Sequence, residues 1–178
     1  MMTIRPFPIL PVLAALAGAC SPSFEADLTE IEVTQRGLKV PAVPATAAGC
    51  DVSVSGAFTL SSSDTAWAKG MNSGVRVHHV SVAAGGTLPS LDFIRLARMT
   101  MADNAVPEGA TEIMEFVRGE GAPSSSVIEV DIPAPVDVTA AWTADKTVIA
   151  FNVIGQMPTQ AWTVDVTLKL SGKITYEY

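Results

Sequence analysis

Residues 162–170 read WTVDVTLKL, an alternation of apolar and polar side chains with a period of two. Successive side chains of an extended strand point to opposite faces, so this period predicts a strand with one buried and one solvated face. The same phase continues past Gly172 to Tyr178. A hairpin turn at Gly172 would pair Leu170 with Lys173 and mix apolar with charged side chains on each face. We therefore expect one continuous strand, bent or bulged at Gly172.

Residues 52–60 repeat the alternation with a hydroxyl-rich outer face, and Gly56 is the expected bend within that strand. Six further apolar runs are bounded by glycine, proline, serine or asparagine and predict strands at 28–33, 75–82, 97–102, 113–118, 127–132 and 148–154. Short strands at this spacing predict an all-β fold. We expect a single antiparallel β-sandwich of about 7–9 strands, either immunoglobulin-like or jelly-roll-like.

Helix signals are weak in this sequence. One or two short helical turns are expected at most, over 90–95 after Pro89 and over 138–144 after Pro135. The alanine-rich segment 41–49 is expected to be a loop that crosses between sheets, and 119–126 an exposed hairpin tip or linker.

The beginning of the chain has the composition of a secretory signal. A single positive charge, Arg5, precedes residues 7–19, which are uncharged and mostly apolar. That stretch is shorter than the about 20 apolar residues that a membrane-spanning helix needs. It fits the charged and apolar regions of a cleaved signal peptide, so we expect export from the cytoplasm.

The end of this stretch, Leu16-Ala17-Gly18-Ala19-Cys20, resembles the lipobox of bacterial lipoproteins, although its leucine stands one position earlier than is usual in that family. The resemblance covers about twenty residues. It implies acylation of Cys20 and a lipid anchor in the cell envelope. Ser21 stands where some lipoprotein families carry an aspartate that retains them in the inner membrane, so the resemblance favours the outer membrane.

Ordinary signal cleavage remains an alternative, because the same small residues satisfy the Ala-x-Ala rule for a cut at the same bond. That cut would leave a soluble periplasmic or secreted protein. We therefore expect a signal peptide over 1–19, a lipidated N-terminus with a short tether over 20–26, and a β-sandwich domain over 27–178.

The two alternatives use the two cysteines differently. If Cys20 is acylated, Cys50 is an odd thiol and is expected to be a small buried hydrophobic residue. If Cys20 is not acylated, an oxidising compartment allows a disulfide between Cys20 and Cys50. Closing that loop of about 30 residues would be worth roughly 3 kcal/mol.

The charge of the chain restricts its partners. The formal net charge is −7 at pH 7, which opposes binding to nucleic acid or to an anionic membrane surface. Contact with a membrane would come from the lipid anchor at Cys20, and the remaining candidate partners are envelope proteins or glycans.

The only histidines, His78 and His79, are adjacent and would point to opposite faces of a regular strand. They cannot share one metal ion without a bulge. Val75 and Val77 have the phase of His79, whereas Val80 and Val82 have the phase of His78, and this switch predicts a bulge or a strand that is solvated on neither face. We expect the two rings to bond to backbone groups rather than to a metal ion.

No catalytic site is expected. The serines occur in runs at 61–63 and 124–126 that have the composition of loops, and the chain contains no Gly-x-Ser-x-Gly motif. A thiol nucleophile at Cys50 is outweighed by a packing role. We therefore predict that the protein is not an enzyme and needs no cofactor.

Candidate binding residues are Trp67, Asp103, Asn104 and Glu108. Trp67 lies in a polar stretch and is the aromatic residue expected to be exposed, while Trp162 has the phase of the core. The three polar residues, with Glu112, lie around Pro107 and Gly109, where oxygen ligands this close together could hold Ca²⁺. They match no EF-hand spacing, so a solvated acidic turn is favoured and no metal site is predicted.

These observations predict a non-enzymatic exported lipoprotein with a structural or interaction role in the envelope. The alternative is a β-sandwich module that binds a small ligand or carbohydrate, with or without the help of Ca²⁺. An envelope hydrolase that depends on His78 or His79 has the least support.

Overall fold

The computed structural model describes residues 23–177, except 48, 62–72, 87, 105 and 143–145. This part of the chain forms eight strands: β1 (Ser23–Val40), β2 (Val52–Ser61), β3 (Ser73–Gly85), β4 (Ile94–Asp103), β5 (Val106–Val117), β6 (Val127–Asp137), β7 (Lys146–Gly155) and β8 (Trp162–Glu177). Its helical content is a 3-10 turn at Ala45–Ala47 and one short helix, α1 (Thr139–Trp142). The predicted all-β fold is confirmed.

The strands form two four-stranded antiparallel sheets that pack as a sandwich. One sheet has the order β1-β8-β3-β6, and the other has the order β2-β7-β4-β5. The first strand pairs with the last, the second with the seventh, the third with the sixth and the fourth with the fifth. This nested order is that of the jelly roll, in which a long antiparallel ribbon is rolled so that β8 meets β3 and β7 meets β4.

The core lies between the sheets, on the faces that the alternation predicts. In β8 the apolar residues from Trp162 to Leu170 are all buried, while the polar residues between them are half-buried on the outer face. In β2 the side chains of Val54 and Leu60 are buried, and every second residue from Ser53 to Thr59 is exposed. Burial of these apolar faces is the main force that holds the sheets together.

β8 is one continuous strand, as expected. Its pairing with β1 runs from Val40↔Trp162 to Ser23↔Glu177 and passes through Gly172. The irregularities lie in the neighbouring strands, where β1 carries an extra residue between Leu28 and Ile31, and β3 carries one between Ser73 and Arg76. The bulge expected at Gly172 therefore lies in the two strands on either side of it, β1 and β3, and not in β8 itself.

Gly56 is not the site of a register shift, because β2 pairs with β7 without interruption over ten residues. A side chain at this position would overlap the ring of Phe151 on the facing strand. The glycine is therefore required by close packing of an aromatic ring.

The sandwich has two ends, which we call the Ser23 end and the Trp162 end after the residues of β1 and β8 that lie there. The Ser23 end also carries Asp103, Asp137 and α1. The Trp162 end carries the loops 41–51, 86–93, 118–126 and 156–161. β1 begins at Ser23, within the segment that we expected to be a tether.

The segment after Pro89 forms a short turn at Asp92 and Phe93 and then enters β4, where Ile94 is buried in the core. The expectation about Cys50 was wrong. Cys50 is exposed rather than buried. It lies in the loop that crosses between the sheets, where the alternation that buries apolar residues does not apply. Of the described residues, no helix is long and apolar enough to span a membrane.

Candidate functional site

The predicted acidic residues lie at the hairpin between β4 and β5. Asp103 ends β4 and pairs with Val106, and the N–H group of Asn104 donates a hydrogen bond to the carbonyl of Lys146 at 3.0 Å. Glu108 and Glu112 are exposed on β5. Because the register shifts between Met101 and Asp103, the segment that contains Glu108 is bulged away from β4.

A surface cleft of about 300 Å³ adjoins this hairpin at the Ser23 end. One wall comes from the hairpin and includes Asp103 and Thr111, and the other comes from the end of β6 and from α1 and includes Asp137 and Ala140. We call it the acidic cleft. The fold thus places Asp137 in the wall that faces Asp103, a grouping that no pattern in the sequence indicates.

A hydrogen-bond relay fixes Asp137. The N–H of Val75 donates to Oγ1 of Thr139 at 2.9 Å, and this hydroxyl donates to Oδ1 of Asp137 at 2.7 Å. The N–H of Thr139 also donates to Oδ1 of Asp137, at 2.9 Å. The backbone bond and then the hydroxyl bond hold the pKa of Asp137 below its ordinary value, so the carboxylate is ionised at neutral pH.

The acidic cleft therefore presents negative charge and small side chains to solvent. Carboxylate oxygens in such a cleft can accept hydrogen bonds from the hydroxyl groups of a ligand, or attract a cation. Among the described residues, no group of three or more His, Cys, Asp or Glu side chains is placed to hold a metal ion.

The two histidines lie on a β-bulge, as the phase of the valines predicted. The register of β3 shifts between Val77 and His79 against both of its neighbours, β6 and β8. The rings reach residues of the outer face: Nε2 of His78 bonds to Oγ of Ser171, and Nδ1 of His79 lies 2.7 Å from Oδ1 of Asp131. Their partners are side chains, so the expectation of backbone partners was wrong.

His79 belongs to a row of polar side chains that crosses the whole sheet. The register aligns Glu32 of β1, Lys169 of β8, His79 of β3 and Asp131 of β6. Lys169 also pairs with Glu30 at 3.2 Å, and the hydrogen bond and charge of Glu30 raise the pKa of Lys169. Glu30 and Glu32 of β1 thus offset the charge of Lys169 on the neighbouring strand.

This row does not form a Ser-His-Asp triad. The serine bonds to His78 and the aspartate to His79, so no single ring among the described residues joins both groups. A triad needs one imidazole that bonds to the nucleophile through one nitrogen and to the carboxylate through the other.

An arginine that the sequence analysis missed organises the Trp162 end. Nε of Arg118 donates to the carbonyl of Ile94 at 2.9 Å, and Nη2 donates to the carbonyl of Leu91 at 3.1 Å. Nη1 lies 3.5 Å from Oδ1 of Asp92. Asp92 also accepts hydrogen bonds from the hydroxyl of Ser124 and the N–H of Ser125, which lower its pKa.

Two interpretations of single residues fall outside the described part of the chain, namely exposed Trp67 and acylated Cys20. Trp162 is buried and meets the ring of Phe93 edge-to-face, at 5.1 Å between ring centroids. The apolar cavity beside it, between the two sheets, holds only about 20 Å³. That volume is close to that of one water molecule, so this cavity has no room for an organic ligand.

The disulfide considered between Cys20 and Cys50 falls outside the described residues, because Cys20 does. Cys50 is exposed at the Trp162 end. The carboxylate of its neighbour Asp51 pairs with Arg95 at 2.9 Å.

Comparisons with known proteins yield remote structural likeness alone. No protein-family model matches the chain, and no curated protein matches it. A solved structure from Desmodium yellow mottle tymovirus aligns with 94% of this chain and 96% of its own, at 12% sequence identity and a TM-score of 0.30. At that TM-score, the alignment adds nothing to the fold described above.

Proposed function

We propose that this chain is an exported bacterial lipoprotein, anchored through Cys20 in the outer membrane, with a structural or interaction role in the envelope and no catalytic one. The observation that carries the proposal is the apolar segment 7–19, which ends in small residues directly before Cys20.

The anchor would hold the sandwich close to the lipid. Only Ser21 and Pro22 separate Cys20 from the start of β1, and two residues span at most about 7 Å. The Ser23 end would then face the membrane, and the Trp162 end would face away from it. The loops clamped by Arg118 would be the surface available to an envelope partner.

The anchor is tested by replacing Cys20 with alanine in the full chain. The wild-type protein is expected to sediment with membranes and to incorporate labelled palmitate, and Cys20→Ala to appear folded in the soluble fraction. Cys50→Ser is the matched control, which should still sediment and still incorporate the label. A Cys20→Ala protein that remains in the membrane pellet would refute the anchor.

The acidic cleft supports a second candidate function, that of a small-ligand or glycan-binding module. Asp103 and Asp137 face one cleft from different sheets, and its volume of about 300 Å³ suits a small polar ligand. Thermal-shift measurements with Ca²⁺ and a panel of glycans test this function. A raised melting temperature that Asp137→Asn abolishes would support it, and the absence of a shift with any compound would count against it.

A further inference from the structure

The four edge strands of the sandwich differ in how they are protected against pairing with other chains. A free edge exposes a row of unpaired N–H and C=O groups, and natural proteins block such edges with charges, prolines or bulges. β1 has two register shifts and charged residues at Asp27, Glu30, Glu32, Arg36 and Lys39. β5 has register shifts, Pro107 and three glutamates, and β6 carries Pro133 and Pro135 opposite the histidine bulge.

β2 has none of these features. It reads VSVSGAFTLS over Val52–Ser61, without a charged residue or a proline. It pairs with β7 over ten residues with no register shift, and within the described part of the chain β7 is its only strand partner. A long, regular and uncharged edge strand of this kind is suited to pairing with another strand.

The side chains on both faces of β2 leave its free edge open to a further strand. The outward residues from Ser53 to Thr59 are small, so they do not obstruct a neighbouring strand. The inward residues Val52 and Phe58 are only partly buried, although they pack against the core. A further strand on this edge would cover them and extend the core.

We propose that two copies of this chain join through β2, antiparallel about a twofold axis near Gly56, into one continuous eight-stranded sheet. This inference goes beyond the proposed function and does not depend on the lipid anchor. The partner is a second copy: the net charge of −7 opposes contact between copies over most of the surface, and the uncharged edge of β2 is where that repulsion is least. Two copies of β2 bring no charges together.

The pairing is self-complementary in any register that keeps the faces matched. With the axis at Gly56, outward residues meet outward residues and inward meet inward. The resulting pairs are Ser53 with Thr59, Ser55 with Ala57, Val52 with Leu60 and Val54 with Phe58. Hydroxyl and small groups thus line the outer face, and apolar groups line the inner face.

The native thiol of Cys50 allows a direct distance measurement. It is exposed and lies two residues before β2. We would attach a spin label to it in the full chain carrying Cys20→Ala, and measure distances between labels by double electron–electron resonance. In the proposed dimer the two labels lie about 40 Å apart, from 12 residues of extended strand. Moving the label to Thr59, in Thr59→Cys with Cys50→Ser, should shorten the separation to about 20 Å or less.

The double substitution Ser55→Lys/Ala57→Lys sets lysine opposite lysine when the axis lies at Ser55, Gly56 or Ala57. It should weaken the dimer at least about tenfold, since like charges directly opposite each other destabilise paired strands. Ser55→Thr/Ala57→Thr controls for the substitutions themselves, and Thr159→Lys/Gln160→Lys controls for the added charge at exposed loop positions. Both controls should dimerise like the parent.

Each possible outcome of these experiments either supports the dimer or contradicts it. Distances that shorten as predicted when the label moves, and a dimer lost in Ser55→Lys/Ala57→Lys but retained in both controls, support the proposal. A monomer at about 100 µM, or a dimer that the two lysines leave intact, overturns it. If the lysine variant fails to fold by circular dichroism, the two label positions decide alone, because a dimer built on another surface would not give the shortening.

Discussion

Arg118 and Arg98 have different structural roles, although they are the same type of residue. The side chain of Arg118 is 13% exposed, donates to three backbone carbonyls and packs over the ring of Phe116 at 5.5 Å. The side chain of Arg98 is 49% exposed and pairs with Glu115 at 3.3 Å on the outer face of its sheet. The first connects two loops to a strand, while the second neutralises one neighbour.

We therefore expect Arg118→Ala to lower the free energy of unfolding by about 2–4 kcal/mol, because it removes charged side-chain donors from the carbonyls of Leu91 and Ile94 in a part-buried site and the packing on Phe116. Arg98→Ala, the matched control, should cost less than about 1 kcal/mol, since exposed ion pairs contribute little. Urea denaturation of both variants measures the difference. Equal losses would show that Arg118 does not act as a clamp.

The sequence could not reveal Arg118 or the exposure of Cys50. The partners of Arg118 are mostly backbone carbonyls, which leave no pattern in the residue types around it. Asp137 is comparable: it faces Asp103 only because strands from two different sheets end side by side. Such groupings depend on tertiary structure, whereas alternation reports only which face of a strand each residue occupies.

At the scale of single strands, the alternation of apolar and polar residues predicted more of the structure. The buried faces of β2 and β8, the unbroken course of β8 and the bulge at the two histidines all followed from the phase of apolar residues, and all are confirmed. Boundaries were less accurate: β1 extends from Ser23 to Val40, whereas 28–33 was expected. The residues of β1 outside 28–33 pair with β8 through backbone hydrogen bonds. Such bonds require no particular side chains, so the sequence pattern did not indicate them.

The bulge makes a prediction about deletions in β3. Val77 pairs with Leu170, His79 pairs with Lys169, and His78 is the extra residue between them. Deleting His78 should make the pairing of β3 with β8 regular at this point and leave a folded protein, destabilised by about 1 kcal/mol through loss of the bond between its ring and Ser171. Deleting Ser81 should prevent folding, because each residue on one side of the deletion changes face.

Circular dichroism and thermal melting of the two deletion variants test this prediction. The comparison is matched, since each variant lacks one polar residue of the same strand and of its outer face. If both variants unfold alike, the bulge is not a separable insertion and the register of β3 depends on His78 itself.

At the scale of the whole molecule, strand order separates the jelly roll from the immunoglobulin-like sandwich. The sequence left both open, because alternation does not identify the partners of a strand. The structure pairs consecutive strands only at β4 and β5, while the other pairs nest around that hairpin. The sequence separation between partners rises from three residues at Asp103↔Val106 to more than one hundred at Val52↔Gly155.

This nesting predicts an order of folding. Closing a short loop costs less entropy than closing a long one, so the β4–β5 hairpin should be formed in the folding transition state and the β1–β8 pair should form after it.

Two buried residues on edge strands test this order: Met114 of β5, which pairs with Met99, and Val40 of β1, which pairs with Trp162. Replacing either with alanine removes buried methyl groups at a cost of roughly 2 kcal/mol or more. Stopped-flow folding and unfolding rates should show Met114→Ala mainly slowing folding, with a φ-value of about 0.5 or higher. Val40→Ala should mainly speed unfolding, with a φ-value below about 0.3. The reverse assignment would mean that the ends of the chain meet first, and that chain topology does not set the folding order of this sandwich.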